Sequence, residues 1–184
     1  MRNKVQSPTR FTAWMHFTMG QYLNPSADVF AESANSPAYV DKTALIVYTN
    51  GVMGTSGRLI CSCRPPRFGK SCDARMLAAY YSKGANSKAL FDRLQIAQLT
   101  ELPFMTPAAK FVPYETYLNR LDVIYLGLGH WRPSLTDDFL KELQNTVIAE
   151  VRAEIPEVRT YRTSSLPDML SYTADKTGRP GTGR

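Results

Sequence analysis

The loop Arg64-Pro65-Pro66-Arg67-Phe68-Gly69-Lys70-Ser71 constrains the fold more than any other part of this sequence, because of what flanks it. The preceding residues 58–63 (RLICSC) form a short apolar run that favours a β-strand. The following residues 72–83 favour a helix, since Met76 and Tyr80 share one helical face and Gly84 is a natural stop. Strand, loop and helix in this order are the context in which a Gly-Lys-Ser tripeptide binds phosphate.

The loop predicts a distinct role for each part of the tripeptide. Backbone N–H groups and the positive end of the helix would converge on phosphate. Gly69 would allow close approach, Lys70 would place a cation on the terminal phosphates, and the Ser71 hydroxyl would ligate Mg²⁺. The predicted binding residues are Arg67, Phe68, Gly69, Lys70, Ser71 and Cys72. Because Arg64 replaces the first glycine of the usual pattern, a basic surface turn before an ordinary helix remains an alternative.

The rest of the chain predicts an α/β fold with a short parallel sheet flanked by helices. Two more apolar runs, Ala44 to Thr49 and Asp122 to Gly129, favour strands. A capping box at Ser134 and Asp137 begins a long helix to about Glu154, whose apolar stripe is Phe139, Leu140, Leu143, Val147, Val151 and Ile155. A last helix follows Ser165 and runs to about residue 177.

Three segments together resemble the predicted AAA-ATPase-like family of prokaryotic proteins. They are residues 39–46 (YVDKTALI), the loop at 64–71 (RPPRFGKS) and residues 90–96 (LFDRLQI). The resemblance covers roughly Met19 to Tyr172 and implies a P-loop NTPase domain in which Gly69, Lys70 and Ser71 hold ATP and Mg²⁺. The roles of Asp41 and Lys42 stay open between nucleotide contact and bracing of the first predicted strand, and we favour bracing.

The sequence departs from the family pattern in two ways. Pro66 stands where the family usually has arginine, which removes a cation and a backbone N–H from the loop. The family's hydrophobic strand ending in an acidic pair, which would hold Mg²⁺ for hydrolysis, does not follow the last helix. We therefore expect a truncated domain over residues 19–175 that binds ATP. The catalytic residues stay unknown, and whether the chain is an enzyme stays undecided.

Charge and cysteine content bear on partners and location. The net charge of +6 is concentrated in residues 1–18 and 159–184, so we expect a disordered N-terminal extension (1–18) and tail (176–184) rather than a nucleic-acid-binding face. No apolar run approaches the ~20 residues of a membrane span, and we expect a cytoplasmic protein. Cys61, Cys63 and Cys72 are expected to be reduced structural cysteines.

The sequence also allows three alternatives to simple ATP binding. A homo-oligomer could complete an ATPase site with an acid from another subunit. The chain could be a non-enzymatic remnant or interaction module, because a sheet of about three strands leaves edges uncovered. Its basic termini could also associate with nucleic acid.

Overall fold

The computed structural model describes residues 22–99, 111–127 and 137–177. These residues are predominantly helical. The α-helices are α1 (Asp28–Ala34), α2 (Ala44–Val52), α3 (Lys70–Tyr81), α4 (Lys88–Phe91), α5 (Asp137–Glu154) and α6 (Leu166–Thr177). Short 3₁₀ turns lie at Ser56–Arg58, Gln95–Gln98, Tyr114–Thr116 and Pro156–Val158.

The predicted α/β class with a short parallel sheet is wrong for the described residues, which contain no strand. Extended pairing is limited there to two isolated bridges, an antiparallel one between Leu23 and Ile124 and a parallel one between Ser82 and Leu121. The helices instead bury their apolar faces mainly against one another.

The first predicted strand, Ala44 to Thr49, is helix α2. Its side chains Ile46, Val47 and Asn50 are buried at helical spacing. The Asn50 amide donates to the Tyr80 hydroxyl at 2.9 Å and its oxygen accepts from the Tyr81 hydroxyl at 2.7 Å. Partners on α3 therefore outweigh the modest strand preference of β-branched residues, which is itself strongly context-dependent.

The second predicted strand, residues 58–63, is also wrong. Arg58 ends a 3₁₀ turn, and residues 59–63 have no regular structure; Leu59 is 88% exposed. A strand needs a neighbour for its backbone, and none pairs with this segment among the described residues. Cys61 and Cys63 are free but exposed, so the prediction that they are structural is wrong as well.

The third predicted strand, Asp122 to Gly129, is described up to Gly127 and is not a strand in that part. It lies beside residues 22–24: Tyr125 N–H donates to Tyr22 C=O at 2.8 Å, and Asn24 N–H donates to Val123 C=O at 2.7 Å. Such a single bridge satisfies a few backbone groups without forming a ladder.

The structure confirms the three longer helices that the sequence predicts, which are α3, α5 and α6. α3 begins two residues before the predicted start, and α5 ends at Glu154 as predicted. Leu143, Val147 and Val151 of α5 are buried, whereas Leu140 is exposed. α6 follows Ser165, whose hydroxyl accepts from Asp168 N–H, and extends two residues past the boundary predicted for the tail. Residues 1–21, 128–136 and 178–184, with the predictions made for them, lie outside the described ranges.

Two hydrophobic clusters organise these helices. The first contains residues from all four helices α1, α2, α3 and α4 and is centred on Phe30, Tyr80 and Phe91. The second joins α5 and α6 to the segment at Tyr22 and Leu23. The loop at residues 64–69 leads into α3, so the first cluster fixes the direction in which that helix starts. No helix among the described residues combines the length and the apolar character that a bilayer crossing requires.

Candidate functional site

Gly69 forms the junction between the loop and α3. It precedes the first helical residue and has φ +81° and ψ 16°, in the left-handed region that glycine adopts without strain. A Cβ at this position would lie 2.8 Å from the Lys42 ammonium nitrogen. The sequence predicted a close approach at Gly69, and the group that approaches it within the protein is Lys42, from residues 39–43, the YVDKT segment.

The start of α3 presents backbone donors. Asp73 N–H donates to Gly69 C=O at 2.9 Å, which closes the first turn. The N–H groups of Lys70, Ser71 and Cys72 precede that bond and have no acceptor within the helix. No side chain caps this end. The helix dipole adds a partial positive charge at the same place, so the arrangement attracts an anion.

The Lys70 side chain turns back onto its own loop. Its ammonium donates to the carbonyl oxygens of Arg64 at 2.6 Å and Pro65 at 3.1 Å. Lys70 and Ser71 are both exposed. Lys70 therefore holds the first half of the loop near the start of α3. A bound anion could take the place of the two carbonyl oxygens as the acceptor of its hydrogen bonds.

Asp73 pairs with two cations that come from different parts of the chain. Its carboxylate, which is largely buried, lies 3.5 Å from the Lys42 ammonium and 3.2 Å from the Arg64 guanidinium. Lys42 also donates to the Phe68 carbonyl at 3.0 Å. The arginine that replaces the usual first glycine thus anchors the start of the loop to the first turn of α3.

The other polar residues of the YVDKT segment are structural. The Asp41 carboxylate accepts from Thr43 N–H at 2.8 Å and from Gln95 N–H at 2.7 Å. The Thr43 hydroxyl accepts from Ile96 N–H at 3.1 Å. Asp41 and Thr43 therefore join the start of α2 to the 3₁₀ turn at Gln95–Gln98. The bracing role favoured for Asp41 fits these contacts, although the braced element is a helix.

A groove of about 600 Å³ opens beside the loop. One wall comes from the end of α1 and the YVDKT segment, with Tyr39 and Lys42, and the other from the loop and the first turn of α3. Burial raises the pKa of Tyr39 to about 12, and the nearby Asp41 carboxylate adds to that shift. The Tyr39 hydroxyl therefore stays protonated across the physiological range.

The structure brings together four of the six predicted binding residues in this groove: Arg67, Phe68, Gly69 and Cys72. Lys70 and Ser71 lie at the start of α3 but do not line it. Sequence reasoning missed Asp73. An acid in the first turn of the helix, following an unusual loop arginine, was the signal that could have identified it.

One comparison with known proteins identifies a family for this chain. The family model described as AAA-ATPase-like, predicted AAA-ATPase, matches residues 30–179. No curated protein and no solved structure matched the chain. The matched region includes the YVDKT segment, the loop and all six described helices except the first two residues of α1. Since it spans most of the sequence, the chain belongs to the AAA-ATPase-like family.

Proposed function

We propose that this protein binds Mg·ATP, with the phosphates at the start of α3. The observation that carries the proposal is the exposed N-terminus of this twelve-residue helix, which follows Gly69 at positive φ and has no side-chain cap. Three backbone donors and the helix dipole meet there. Phosphate is the common biological anion that such an end accommodates.

Two lysines would contribute positive charge to this site. The Lys70 ammonium is exposed and bonded to loop carbonyls, which phosphate oxygens can replace at small cost because charge-assisted bonds to an anion are stronger. Lys42 lies against Gly69 but is already paired with Asp73. We therefore assign the phosphate contact to Lys70 and a positioning role to Lys42.

The residues present fit a magnesium ion that is shared with the nucleotide. Ser71 places an exposed hydroxyl in the first turn of α3. Residues 22–99, 111–127 and 137–177 contain no cluster of three or more acidic, histidine or cysteine side chains that could hold a metal alone. Magnesium commonly takes one or two protein ligands and completes its shell with phosphate oxygens and water. When bound, the ion would neutralise charge on the phosphates.

The groove beside the loop would take the sugar and base. Its volume of about 600 Å³ falls within the ~300–1,000 Å³ that is usual for small-molecule sites. Tyr39, Val40 and Phe68 give it apolar surface next to Gly69. An aromatic ring that is 60% exposed, such as Phe68, is available to stack on a base.

The proposal concerns binding. The acid in the first turn of α3, Asp73, has one carboxylate oxygen 3.2 Å from Arg64 and the other 3.5 Å from Lys42. These contacts give Asp73 a positioning role for the loop, and we assign no catalytic residue.

Calorimetric titration with Mg·ATP tests the proposal. We expect one saturable site, and the Lys70→Ala substitution should weaken it roughly 10- to 100-fold, the equivalent of one charge-assisted hydrogen bond. Ser71→Ala should weaken Mg·ATP binding more than it weakens binding of ATP without magnesium. Lys141→Ala, which removes an exposed lysine from α5, is the matched control and should leave affinity unchanged.

Two results would refute ATP binding at this loop. One is the absence of any heat of binding at millimolar Mg·ATP with folded protein. The other is an unchanged affinity in Lys70→Ala, which would place the nucleotide elsewhere.

A further inference from the structure

Two cysteines lie side by side just before the loop. The Sγ atoms of Cys61 and Cys63 are 3.6 Å apart, and both residues are exposed. We propose that they form a thiol–disulfide exchange site, which converts between a dithiol and an internal disulfide by reaction with an external disulfide of the glutathione type. This proposal is independent of ATP binding.

The geometry favours closure of this pair. A disulfide bond is about 2.05 Å long, so the two sulfur atoms need to approach by about 1.5 Å. Residues 59–63 lie outside the helices and are exposed, so the side chains and the local backbone can adjust without disrupting the core. A second thiol held at this distance reacts far faster than one from solution, because its approach is already arranged.

The surroundings also argue against a packing role for the pair. Free cysteines are among the most buried residues of ordinary cores, where they behave as small apolar side chains. Cys61 and Cys63 instead face solvent, whereas Cys72, on α3, is partly buried and lines the groove. The exposed pair is therefore accessible to an external disulfide.

The reaction proceeds by two exchanges. One cysteine thiolate attacks a sulfur of the external disulfide, and the first external thiolate leaves and takes a proton from water. The second cysteine thiolate then attacks the protein sulfur of the mixed disulfide, which forms the Cys61–Cys63 bond and releases the second external thiolate. Two protein thiols are oxidised, and one external disulfide is reduced to two thiols. A small exposed ring of this kind is readily reduced again.

The position of the pair connects it to the loop. Cys63 directly precedes Arg64, whose guanidinium contacts Asp73 and whose carbonyl accepts from Lys70. Closing the ring would fix the backbone at the point where it enters the loop. The covalent proposal does not depend on the effect of that change.

Oxidation of the full-length protein with oxidised glutathione, followed by tryptic mapping under non-reducing conditions, tests the proposal. No trypsin site lies between Cys61 and Cys63, and the Arg64-Pro65 bond resists trypsin, so both cysteines lie in the peptide Leu59 to Arg67, while Cys72 lies in Ser71 to Arg75. We expect the first peptide to become lighter by about 2 Da, the mass of two hydrogens, and the second to keep its thiol. Excess reduced glutathione should reverse the change.

Variants separate this outcome from its alternatives. Cys61→Ser and Cys63→Ser should each accumulate a stable glutathione adduct on the remaining cysteine, whereas Cys72→Ser should form the internal disulfide like the wild type. A persistent adduct in the wild-type Leu59 to Arg67 peptide, or a cross-link between the two peptides, would overturn the proposal.

Discussion

The loop at residues 64–69 and the helices beneath it are stabilised in opposite ways. The side chains of the loop are almost all exposed, and hydrogen bonds and ion pairs from Lys42, Lys70 and Asp73 hold it in place. The helices below, α2 to α4, pack around the fully buried Tyr80 and Phe91. The difference indicates that folding free energy resides in the helices, while the loop can exchange its polar contacts for those of a ligand.

Lys42, Lys70 and Asp73 connect the two regions. Lys42 and Asp41 are neighbours in sequence, yet Lys42 contacts the loop and Asp41 joins α2 to the Gln95–Gln98 turn. Asp73 is in the first turn of α3 and holds both Lys42 and Arg64. The position of the loop therefore depends on the packed helices, whereas the helices depend little on the loop.

A matched pair of phenylalanines gives the largest expected contrast. Phe91→Ala removes a fully buried ring that stacks on Phe30 at 5.5 Å, and it should lower the free energy of unfolding by about 3–5 kcal/mol. Phe68→Ala removes an exposed loop ring and should change it by less than about 0.5 kcal/mol. Urea unfolding of both variants measures the difference, and equal losses would contradict the comparison.

The polar network between α2 and α3 gives the next largest effect. Asn50→Ala leaves the buried hydroxyls of Tyr80 and Tyr81 each short of one partner, at a cost of about 2–3 kcal/mol in unfolding free energy. Asn35→Ala, at the exposed end of α1, is the control and should have little effect. An Asn50 variant as stable as the control would mean that the network does not hold the helices together.

Alkaline pH should lower the free energy of unfolding by ionising Tyr80, which belongs to the same hydrogen-bond network. Burial raises the pKa of Tyr80 to about 12, above the ordinary value of 10.0. The stabilisation from the neutral phenol is complete below pH 10 and is lost as the pH rises through 12, by about 2 kcal/mol at most. Unfolding free energies measured between pH 9 and 12 should fall less steeply in Tyr80→Phe than in the wild type. Identical slopes would refute this assignment.

Asp73→Asn should lower stability less than Phe91→Ala and Asn50→Ala do, but it should have a clear effect on the loop. The substitution weakens two ion pairs whose cationic partners are partly exposed, so we expect a loss of about 1 kcal/mol in unfolding free energy. The same variant should become more sensitive to limited tryptic cleavage after Arg67, because Arg64 and Lys42 no longer anchor the loop. Cleavage at the wild-type rate would show that Asp73 does not position it.

The sequence predicted the longer helices because their information is local. α5 has an apolar stripe at helical spacing, and α6 has a serine before its first turn. Phosphate binding at Gly69 was also predicted from a local pattern, the Gly-Lys-Ser tripeptide before a helix. The geometry at the start of α3 is compatible with it.

The predicted strands were wrong because the contacts that decide the structure of these segments are with residues distant in sequence. Ala44 to Thr49 has β-branched residues, but the segment is helical, and Asn50 in the same helix bonds to Tyr80 and Tyr81 of α3. Asp73 was missed in part for a related reason, since one of its two partners, Lys42, lies in another signature segment, although its other partner, Arg64, was a local signal. Local patterns do not contain such pairs.

Amide chemical shifts during a titration with Mg·ATP test the central claim most directly. The largest changes should occur at the backbone N–H groups of Gly69, Lys70, Ser71 and Cys72, while those of Val147 and Val151 in α5 stay unchanged. The same titration of Lys70→Ala should need a higher ATP concentration for equal changes. Saturable changes confined to α5 and α6, or none at the start of α3, would contradict nucleotide binding at this loop.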